Sequence, residues 1–505
     1  MDKCLNTVAF GKNDIRGIFP SEVNSELFFY TALGYVKWVR QQYSKMSSVS
    51  KNTSDFCFCV AMDARLHSPE LKKALVEGIL ATSANVLDIG LVPTPLGYFS
   101  EFAPLDGEVG NVVEKIDGAL IITASHNPSE YNGLKMTFNK QSLNEEQIQE
   151  VKKYALEAYD KKNFTIGALA LGSVFEYNLI PLYIDKISKN FDKVGNGIKV
   201  VVDSANATGG VVAPELYREL GCDVVELYSE PDGNFPNHHP NPSDESTLKA
   251  LSAAVVEHKA DCGIAFDGDS DRIGVVNSDG VPLSGDKLLL IFALDLLKEL
   301  VPRGESPTVV SEVKCSQVLY DTINQKGGTA VMYKTGHGYI KSKMRETKAL
   351  LAGEMSGHIF FKDRYFGFDD AVYAGCRLVE IIAKNKKTNP EFKLQELLKP
   401  FDEVFLSKEV RLACANELKA PVLEELEKNI SEELFGSKIS EIITIDGLRV
   451  IFEDGFALIR QSNTEPVFTM RFEAKCPKKC EHYEKTLINE VEKTMKAITT
   501  LGEFV

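Results

Sequence analysis

One pattern of strand, loop, helix and strand occurs three times along this chain of 505 residues and constrains its fold more than any other feature. In each copy, a short apolar β run precedes a polar or glycine-containing loop, a helical pattern and a second β run. The paired runs are 56–62 with 86–89, 198–202 with 223–227, and 308–313 with 330–333. Strands that alternate with helices through short loops form βαβ units. The sequence therefore predicts three related α/β domains with mixed sheets.

The chain changes character from about residue 400. The apolar runs 448–452 and 456–460 flank Glu453-Asp454-Gly455, a sequence typical of a β-hairpin. A further strand and a long helical pattern follow, which predicts a smaller C-terminal α+β domain. The predicted domain boundaries are 1–167, 168–281, 282–399 and 400–505. The polar segments 41–55 and 104–115 predict surface loops or insertions.

Composition excludes several classes of protein. The net charge of −15 argues against a nucleic-acid partner, which would require a basic face. No apolar signal segment follows Met1, and no apolar run is long enough to span a bilayer, so we expect a cytoplasmic protein without a membrane partner. The ten cysteines are then expected to be scattered and reduced. Zinc binding by Cys476, Cys480 and His482 fits no common ligand spacing.

The segment Thr123-Ala124-Ser125-His126-Asn127-Pro128 follows the apolar strand run 119–122. Asparagine and proline favour a turn at this point, so the serine is placed on a sharp loop at the end of a strand. A rigid loop is a suitable place for a reactive hydroxyl, and His126 and Lys135 supply basic groups near it. The alternative is a turn that only satisfies its own backbone.

A second motif, Asp267-Gly268-Asp269-Ser270-Asp271-Arg272, follows the strand run 262–266. Three carboxylates at alternate positions can converge on one hard cation through oxygen ligands. The later residues do not match a calcium loop of the EF-hand kind. An ion held by three carboxylates keeps open positions for a phosphoryl oxygen, which is a catalytic arrangement. The alternative is an acidic surface turn.

Two further motifs suit a sugar phosphate. Gly353-Glu354-Met355-Ser356-Gly357-His358 places a carboxylate and a hydroxyl between glycines, a set suited to adjacent sugar hydroxyls. Arg460-Gln461-Ser462-Asn463-Thr464-Glu465-Pro466 combines an arginine fork with neutral donors, which suits a phosphate. The alternatives are a glycine-rich turn around a buried methionine and a polar strand-to-loop turn.

With Asp14-Ile15-Arg16-Gly17 and Lys334-Thr335-Gly336-His337, these motifs stand in an order that resembles the α-D-phosphohexomutase superfamily, within it the phosphomannomutase/phosphoglucomutase group. The resemblance spans nearly the whole chain. It implies four domains around a central cleft and an intramolecular phosphotransferase that interconverts hexose 1-phosphates and 6-phosphates of mannose or glucose. It also implies a phosphoserine, one Mg²⁺ per active site, a hexose 1,6-bisphosphate as intermediate and activator, and a monomer or weak homodimer.

The resemblance also implies a role for individual residues. Ser125 would carry the phosphoryl group, and Asp267, Asp269, Asp271 and Ser125 would bind Mg²⁺. The catalytic set is Ser125, His126, Lys135, Arg16 and His358. Lys135 would stabilise or protonate the bridging oxygen, and the imidazole of His358 suits proton removal from a hydroxyl near neutrality. The substrate-binding set is Arg272, Lys314, His337, Glu354, Ser356, Arg460, Ser462, Asn463 and Thr464.

Asn13 departs from the family pattern, which often has an aromatic residue there, and this puts one substrate contact in question. Three other functions remain to be weighed. A phosphoglucosamine mutase is the first, although that group tends to carry glutamine at the position of Met355. A non-catalytic paralogue would have lost the serine, a metal carboxylate or the phosphate arginine, and all are present. A metal-dependent hydrolase would need a further carboxylate motif to activate water.

Overall fold

The structure is a computed structural model and describes residues 4–46, 52–105, 109–110, 113, 115–161, 171–462 and 466–502. The chain divides into two compact units, which are described separately below. The first unit comprises Met1–Ser284, Ser356–Phe361 and Phe368–Lys393, and the second comprises Gly285–Met355, Lys362–Gly367 and Leu394–Val505. Within the described residues, every helix is too short or too polar to cross a bilayer.

The first unit contains two mixed sheets. The strand order in the first sheet is Ile15–Ile18, Tyr131–Phe138, Gly118–Ile122, Cys57–Met62, Asn85–Leu91 and Val174–Glu176, with Gln141–Ser142 beside Tyr131–Phe138. The first three strands pair antiparallel, and the pairs from Gly118–Ile122 to Val174–Glu176 are parallel. In the second sheet, the order is Pro282–Leu283, Ile273–Asn277, Cys262–Phe266, Lys199–Asp203 and Asp223–Leu227. Parallel strands buried on both faces explain why these segments are nearly continuous apolar runs.

Helices cover these sheets, and a further short strand, Ile359–Phe361, belongs to the same unit. The helices are Ser25–Met46, Ser68–Leu80, Thr94–Ser100, Glu145–Lys161, Ile180–Ser188, Ala213–Glu219, Lys249–His258 and Ala371–Lys386. The predicted elements therefore lie within a few residues of the observed ones. Both motif loops of this unit follow a sheet strand: the serine loop follows Gly118–Ile122, and the aspartate loop follows Cys262–Phe266.

The prediction of a surface loop at 41–55 is wrong in its first part, because the helix Ser25–Met46 runs through it. The helix continues because this segment has packing partners. The ring of Tyr43 stacks on Phe56 with centroids 5.4 Å apart, and the hydroxyl of Tyr43 donates to Asp117 at 2.7 Å. The segment is rich in serine and lysine, so its composition did not indicate that one aromatic residue, Tyr43, anchors it. Half of the second predicted loop, 104–115, lies outside the described residues.

The second unit contains a parallel set of strands and an antiparallel sheet. Thr308–Glu312 lies between Thr329–Tyr333 and Leu351–Gly353, parallel to both. The antiparallel sheet has the order Phe405–Leu406, Val467–Ala474, Gly455–Gln461, Leu448–Phe452 and Ile439–Ile443, with Val410–Ala413 also beside Val467–Ala474. The predicted hairpin is present. The helices are Gly285–Leu300, Gln317–Gln325, His337–Thr347, Asn416–Asn429, Glu432–Phe435 and Pro477–Gly502, with the 3₁₀ segment Leu394–Glu403.

A buried carboxyl in the first unit gives a testable pH dependence. Glu101 accepts hydrogen bonds from the Thr137 hydroxyl and from the Lys140 backbone N–H, yet burial raises the pKa of Glu101 to about 7. A raised pKa means that the folded state prefers the protonated carboxyl. The stability from this group is fully present below the unfolded pKa and is lost as the pH rises through about 7. We therefore expect Glu101 to lower the thermal midpoint as the pH rises from about 5 to about 7, with little further contribution above pH 8.

The measurement is the thermal midpoint of Glu101→Gln across this pH range. The amide stays neutral, so the fall with pH is expected to be shallower than in the unmodified protein. Glu77→Gln, on the exposed side of the helix Ser68–Leu80, serves as the control and is expected to follow the unmodified curve. Parallel curves for Glu101→Gln and the unmodified protein would contradict the assignment.

Candidate active site

Ser125 lies just beyond the end of the strand Gly118–Ile122 in a conformation that few side chains adopt. The φ angle of Ser125 is 48°, in the left-handed region, and the residue is 1% exposed. The Ser125 backbone N–H donates to the Thr123 hydroxyl at 2.8 Å, which closes the turn. The Ser125 hydroxyl donates to Asp267 Oδ2 at 2.6 Å. The serine loop therefore brings its hydroxyl to the aspartate loop.

The three aspartates of the second motif converge. Asp267, Asp269 and Asp271 are each at most 1% exposed, and one oxygen from each lies within 4.8 Å of the others. One oxygen of Asp269 and one of Asp271 are buried without a hydrogen-bond donor among the described residues. Unpaired carboxylate oxygens that point to a common centre are the ligands a hard cation requires. This cluster can bind a metal ion.

Lys135 supplies the nearest positive charge. Its Nζ is 2.6 Å from Asp269 Oδ2 and also contacts Asp271. Burial alone would lower the pKa of Lys135, but these two carboxylates raise it well above its usual value. Burial raises the pKa of Asp267 to about 8, and the neighbouring carboxylates Asp271 and Asp269 add to this effect. The site therefore combines one ammonium group that stays protonated with three carboxyl groups.

Two other predicted residues lie at the serine loop. Arg16 Nη1 donates to the Asn127 side-chain oxygen at 2.7 Å, and Asp14 pairs with the same guanidinium. His126 Nδ1 is 3.3 Å from the Ser125 hydroxyl oxygen. Burial and then the nearby Arg272 lower the pKa of His126 well below its usual value, so its ring is neutral. Arg16 therefore fixes the turn after Ser125, and His126 stands beside the hydroxyl.

His358 is buried among charged groups. Arg272 Nε donates to His358 Nε2 at 3.0 Å, and His358 Nδ1 is 3.2 Å from Asp369 Oδ2. An acceptor role for Nε2 assigns the proton to Nδ1, where Asp369 can accept it. Asp369 therefore sets the tautomer of this ring and leaves the Nε2 lone pair available to a proton. The same ring also lies 3.6 Å from Asp271 Oδ1.

The second unit contains a separate polar cluster. Lys314 Nζ lies 3.6 Å from both Glu312 and Glu409, and Glu312 also accepts from the Met355 backbone N–H at 2.9 Å. Glu354 is 2% exposed and accepts from the Gly336 backbone N–H at 2.6 Å, just before the helix His337–Thr347. The Thr335 hydroxyl also donates to Glu312, so Lys314 and Glu354 both contact the network at the start of the helix His337–Thr347. Ser356, predicted beside Glu354, belongs to the first unit, where its carbonyl accepts from the Ser243 hydroxyl at 2.9 Å.

Arg460 lies near the end of the strand Gly455–Gln461. Arg460 Nε donates to Asp446 Oδ2 at 3.0 Å, and the same Asp446 oxygen accepts from the Thr335 backbone N–H at 3.0 Å. Asp446 therefore joins the arginine to the Lys334–His337 motif. The Ser462 carbonyl accepts from Lys419 Nζ at 3.0 Å, which adds a second cation. Asn463 and Thr464, the other predicted phosphate ligands, lie outside the described residues.

Comparison with known proteins identifies the family. Models of phosphoglucomutase/phosphomannomutase match four stretches of the chain: alpha/beta/alpha domain I at 7–162, domain II at 181–280, domain III at 284–401 and the C-terminal domain at 409–490. The chain belongs to the phosphoglucomutase/phosphomannomutase family. The resemblance stated from its motifs is confirmed, and so is the fold class of three α/β domains followed by a C-terminal domain.

Individual relatives agree with this assignment. The phosphomannomutase/phosphoglucomutase of Pseudomonas aeruginosa is 37% identical over 483 residues, which cover 96% of this chain and 95% of that protein. The phosphoglucomutase of Neisseria gonorrhoeae is 41% identical over 413 residues, or 82% of this chain and 83% of that protein. A crystal structure of a phosphoglucomutase/phosphomannomutase family protein from Burkholderia thailandensis has a TM-score of 0.84 at 34% identity, covering 97% of this chain and 98% of its own.

Sequence reasoning missed several residues of this phosphoglucomutase/phosphomannomutase family member. Thr94 donates its hydroxyl to Asp269 at 2.6 Å, Asp369 orients His358, and Asp446 holds Arg460. Thr94 is 175 positions from Asp269, whereas Asp369 and Asp446 are close in sequence to the groups that they contact. All three residues stand outside the recognised motifs. The Thr94-Pro95 pair, which follows a strand and begins the helix Thr94–Ser100, was a weak signal of a functional turn.

Proposed function

We propose that this protein is a phosphohexomutase, an intramolecular phosphotransferase that interconverts the 1-phosphate and 6-phosphate of a hexose, with mannose, glucose or both as substrate. The observation that carries the proposal is the Ser125 hydroxyl, held in a left-handed turn 2.6 Å from a buried cluster of carboxylates. A phosphoserine at this position would adjoin a cluster that has both possible metal ligands and an ammonium. Family membership and the names of the relatives support the same reaction.

The chemical step is the transfer of a phosphoryl group from Ser125 to a free hydroxyl of the sugar phosphate. The P–O bond to Ser125 Oγ breaks, and a P–O bond to the sugar oxygen forms. The sugar hydroxyl loses its proton and Ser125 Oγ takes up one, so that the serine hydroxyl is restored. Mg²⁺ bound by Asp267, Asp269 and Asp271 would neutralise charge on the phosphoryl oxygens. Lys135 and Arg16 provide further positive charge at the same place. The fixed charge of Lys135 suits stabilisation of the bridging oxygen better than proton donation.

His358 is the proposed acceptor of the hydroxyl proton. Its Nε2 carries the lone pair, since Asp369 holds the proton on Nδ1. Arg272, which donates to this nitrogen, would have to exchange that contact for one to the substrate. His126 would serve as a neutral hydrogen-bond partner of the serine oxygen.

Transfer to the sugar gives a hexose 1,6-bisphosphate, which also acts as the activator that phosphorylates Ser125. If the bisphosphate turns end over end, its other phosphoryl group returns to Ser125 and the isomer is released. The phosphate that does not react must be held in both orientations, and Arg460, Ser462, Asn463 and Thr464 are proposed for this role. Glu354 and Ser356 are proposed to bind sugar hydroxyls, with Lys314 and His337 beside them.

The test is a coupled assay of the purified protein with glucose 1-phosphate, mannose 1-phosphate and glucosamine 1-phosphate in parallel, each with its bisphosphate. Turnover of the first two supports the proposal. Exclusive turnover of the amino sugar would indicate a phosphoglucosamine mutase. Absence of turnover with all three, together with an unphosphorylated Ser125, would indicate a non-catalytic paralogue.

Arg460→Ala is expected to raise the Michaelis constants for both the 1-phosphate and the 6-phosphate on the order of 10- to 100-fold, because charge and bidentate geometry are lost together. Release of free bisphosphate during turnover should also increase, since the intermediate is held less well while it turns. The measurement is steady-state kinetics in both directions, with the bisphosphate quantified by chromatography.

Arg460→Lys keeps the charge without the fork and is expected to show a smaller effect in the same direction. Arg411→Ala, in the strand Val410–Ala413 of the same sheet and with a half-exposed side chain, is the control. Removal of Arg460 leaves Asp446 without its guanidinium, so the thermal midpoint of each variant is recorded as well. Unchanged Michaelis constants and no extra bisphosphate would show that the phosphate is bound elsewhere.

A further inference from the structure

One buried arginine donates to four carbonyls of the serine loop. Arg65 is 1% exposed, and its Nη2 donates to the carbonyls of Ser125 and Asn127 at 2.8 and 2.6 Å. Its Nη1 donates to the carbonyls of Pro128 and Tyr131, the latter at 3.0 Å. Four carbonyl oxygens of one short loop thus share a single guanidinium. The planar fork of arginine is the side chain that can serve several acceptors at once.

Arg65 is itself fixed from two sides. Its Nε and its backbone N–H donate to the two oxygens of Asp63 at 3.0 and 3.1 Å, and the Ser68 hydroxyl donates to Asp63 at 2.6 Å. The ring of Phe235 lies over the guanidinium, 5.3 Å from its central carbon. All the donors of Arg65 are therefore used in one geometry, and the side chain has little freedom to move.

The loop that Arg65 holds needs external support. Ser125 has a φ of 48°, and a non-glycine residue in the left-handed region persists where its surroundings determine it. The Ser125 carbonyl points to Arg65 while its hydroxyl points to Asp267. The contact with the carbonyl therefore sets the direction in which the hydroxyl is presented.

We propose that Arg65 is a positioning residue for phosphoryl transfer: through the carbonyls of 125–131 it holds Ser125 in the left-handed turn that aims the hydroxyl at the metal-binding carboxylates. The inference rests on the proposed function for its kinetic consequence, but the conformational part stands on the loop itself. Arg65 does not touch the reacting oxygen, so its effect acts on the rate of transfer and not on the binding of the sugar phosphate.

The test compares Arg65→Lys with Arg377→Lys in the full-length protein. Arg377 is an equally buried arginine of the same unit, over the ring of Phe361 at 4.4 Å and close to Glu380, in the helix Ala371–Lys386. Lysine offers three donors on one point charge and cannot span four carbonyls. The measured quantities are the thermal midpoint, the rate of transfer from phosphorylated protein to hexose phosphate by rapid quench, the Michaelis constant, and hydrogen exchange of the backbone amides of 123–131.

Arg65→Lys is expected to slow transfer about 10²-fold with the Michaelis constant changed less than about twofold, since a misplaced nucleophile lowers the rate without weakening binding. Amide exchange in 123–131 should increase in Arg65→Lys and not in Arg377→Lys, at a similar loss of thermal midpoint. Phe235→Leu, which removes the ring over the guanidinium, should also slow transfer and increase amide exchange in 123–131, to a smaller extent. This variant tests the proposal if Arg65→Lys does not fold.

Equal transfer rates and equal exchange in the Arg65 and Arg377 variants would overturn the proposal. A purely structural role would lower the thermal midpoint and leave the rate of the folded fraction unchanged, which also counts against it. If the unmodified protein transfers phosphate to no hexose phosphate, the proposed function fails. The exchange measurement then still decides whether Arg65 holds the loop.

Discussion

Replacing Ser125 with alanine is expected to lower turnover by at least about 10³-fold, because the acceptor and donor of the phosphoryl group is removed. Alanine keeps the backbone contacts of Ser125 with Thr123 and Arg65, so the fold of the loop should survive. The measurement is turnover together with intact mass and peptide mapping after incubation with hexose bisphosphate. The unmodified protein should gain one phosphoryl group on the peptide containing Ser125, and the variant should gain none.

A matched control separates chemistry from backbone strain. Ser83 also has a left-handed φ, 71°, in the same unit, just after the helix Ser68–Leu80. Ser83→Ala changes the same atoms in the same backbone conformation away from the site, and we expect it to retain turnover and phosphorylation. Normal turnover by Ser125→Ala, or by unmodified protein whose Ser125 carries no phosphate, would refute the phosphoserine mechanism.

The sequence predicted those parts of the fold and site that depend on neighbouring residues. The strand Asp223–Leu227 has the predicted bounds, because apolar periodicity and turn residues specify such elements locally. The aspartate loop was predictable for the same reason, since three alternating carboxylates after a strand can converge without help from elsewhere in the chain. The predicted contact of that loop with Ser125 came from the family resemblance and not from local pattern.

The sequence could not predict the residues that hold the site together from a distance. Arg65 and Ser125 are 60 positions apart, and Thr94 and Asp269 are 175 apart. A single arginine or threonine outside a motif has many possible roles, and only the tertiary structure selects one. The sequence also failed to predict that the first helix extends to Met46, because that extension depends on the contact between Tyr43 and Phe56.

Removing the metal ion is expected to stop phosphoryl transfer and to destabilise the protein. Asp267, Asp269 and Asp271 are buried with ligand oxygens within 4.8 Å of one another, and Lys135 pairs with only the last two. Like charges at this distance repel in a poorly hydrated site. A divalent ion that binds only the folded state adds stability of about 2.7 kcal/mol at 100 times its dissociation constant. The thermal midpoint should therefore rise with Mg²⁺ and fall with a chelator.

Asp267→Asn is expected to stabilise the protein in a chelator and to abolish the stabilisation by Mg²⁺. The nearest cation to Asp267 is Arg272, whose Nε lies 3.8 Å from Oδ2, so Asp267 is the least compensated of the three carboxylates. Asparagine keeps an oxygen that can accept from the Ser125 hydroxyl and deletes a proposed metal ligand. It also removes a carboxyl group whose raised pKa shows that its charge is unfavourable in the folded state. In a chelator, the thermal midpoint of Asp267→Asn should therefore lie above that of the unmodified protein, while Mg²⁺ should no longer raise it and turnover should be lost.

Asp117→Asn is the control, since Asp117 is a fully buried carboxylate of the same unit that accepts from the Tyr43 hydroxyl at 2.7 Å and the Cys57 N–H at 3.0 Å. Its loss should lower the thermal midpoint with and without Mg²⁺ and leave the shift produced by Mg²⁺ intact. The measurement is thermal unfolding of the three proteins in Mg²⁺ and in chelator, with turnover in parallel. If Mg²⁺ raised the thermal midpoint of Asp267→Asn as much as that of the unmodified protein, the ion would bind elsewhere. The loss of one charged ligand from a site of three carboxylates must weaken the binding of the ion to that site.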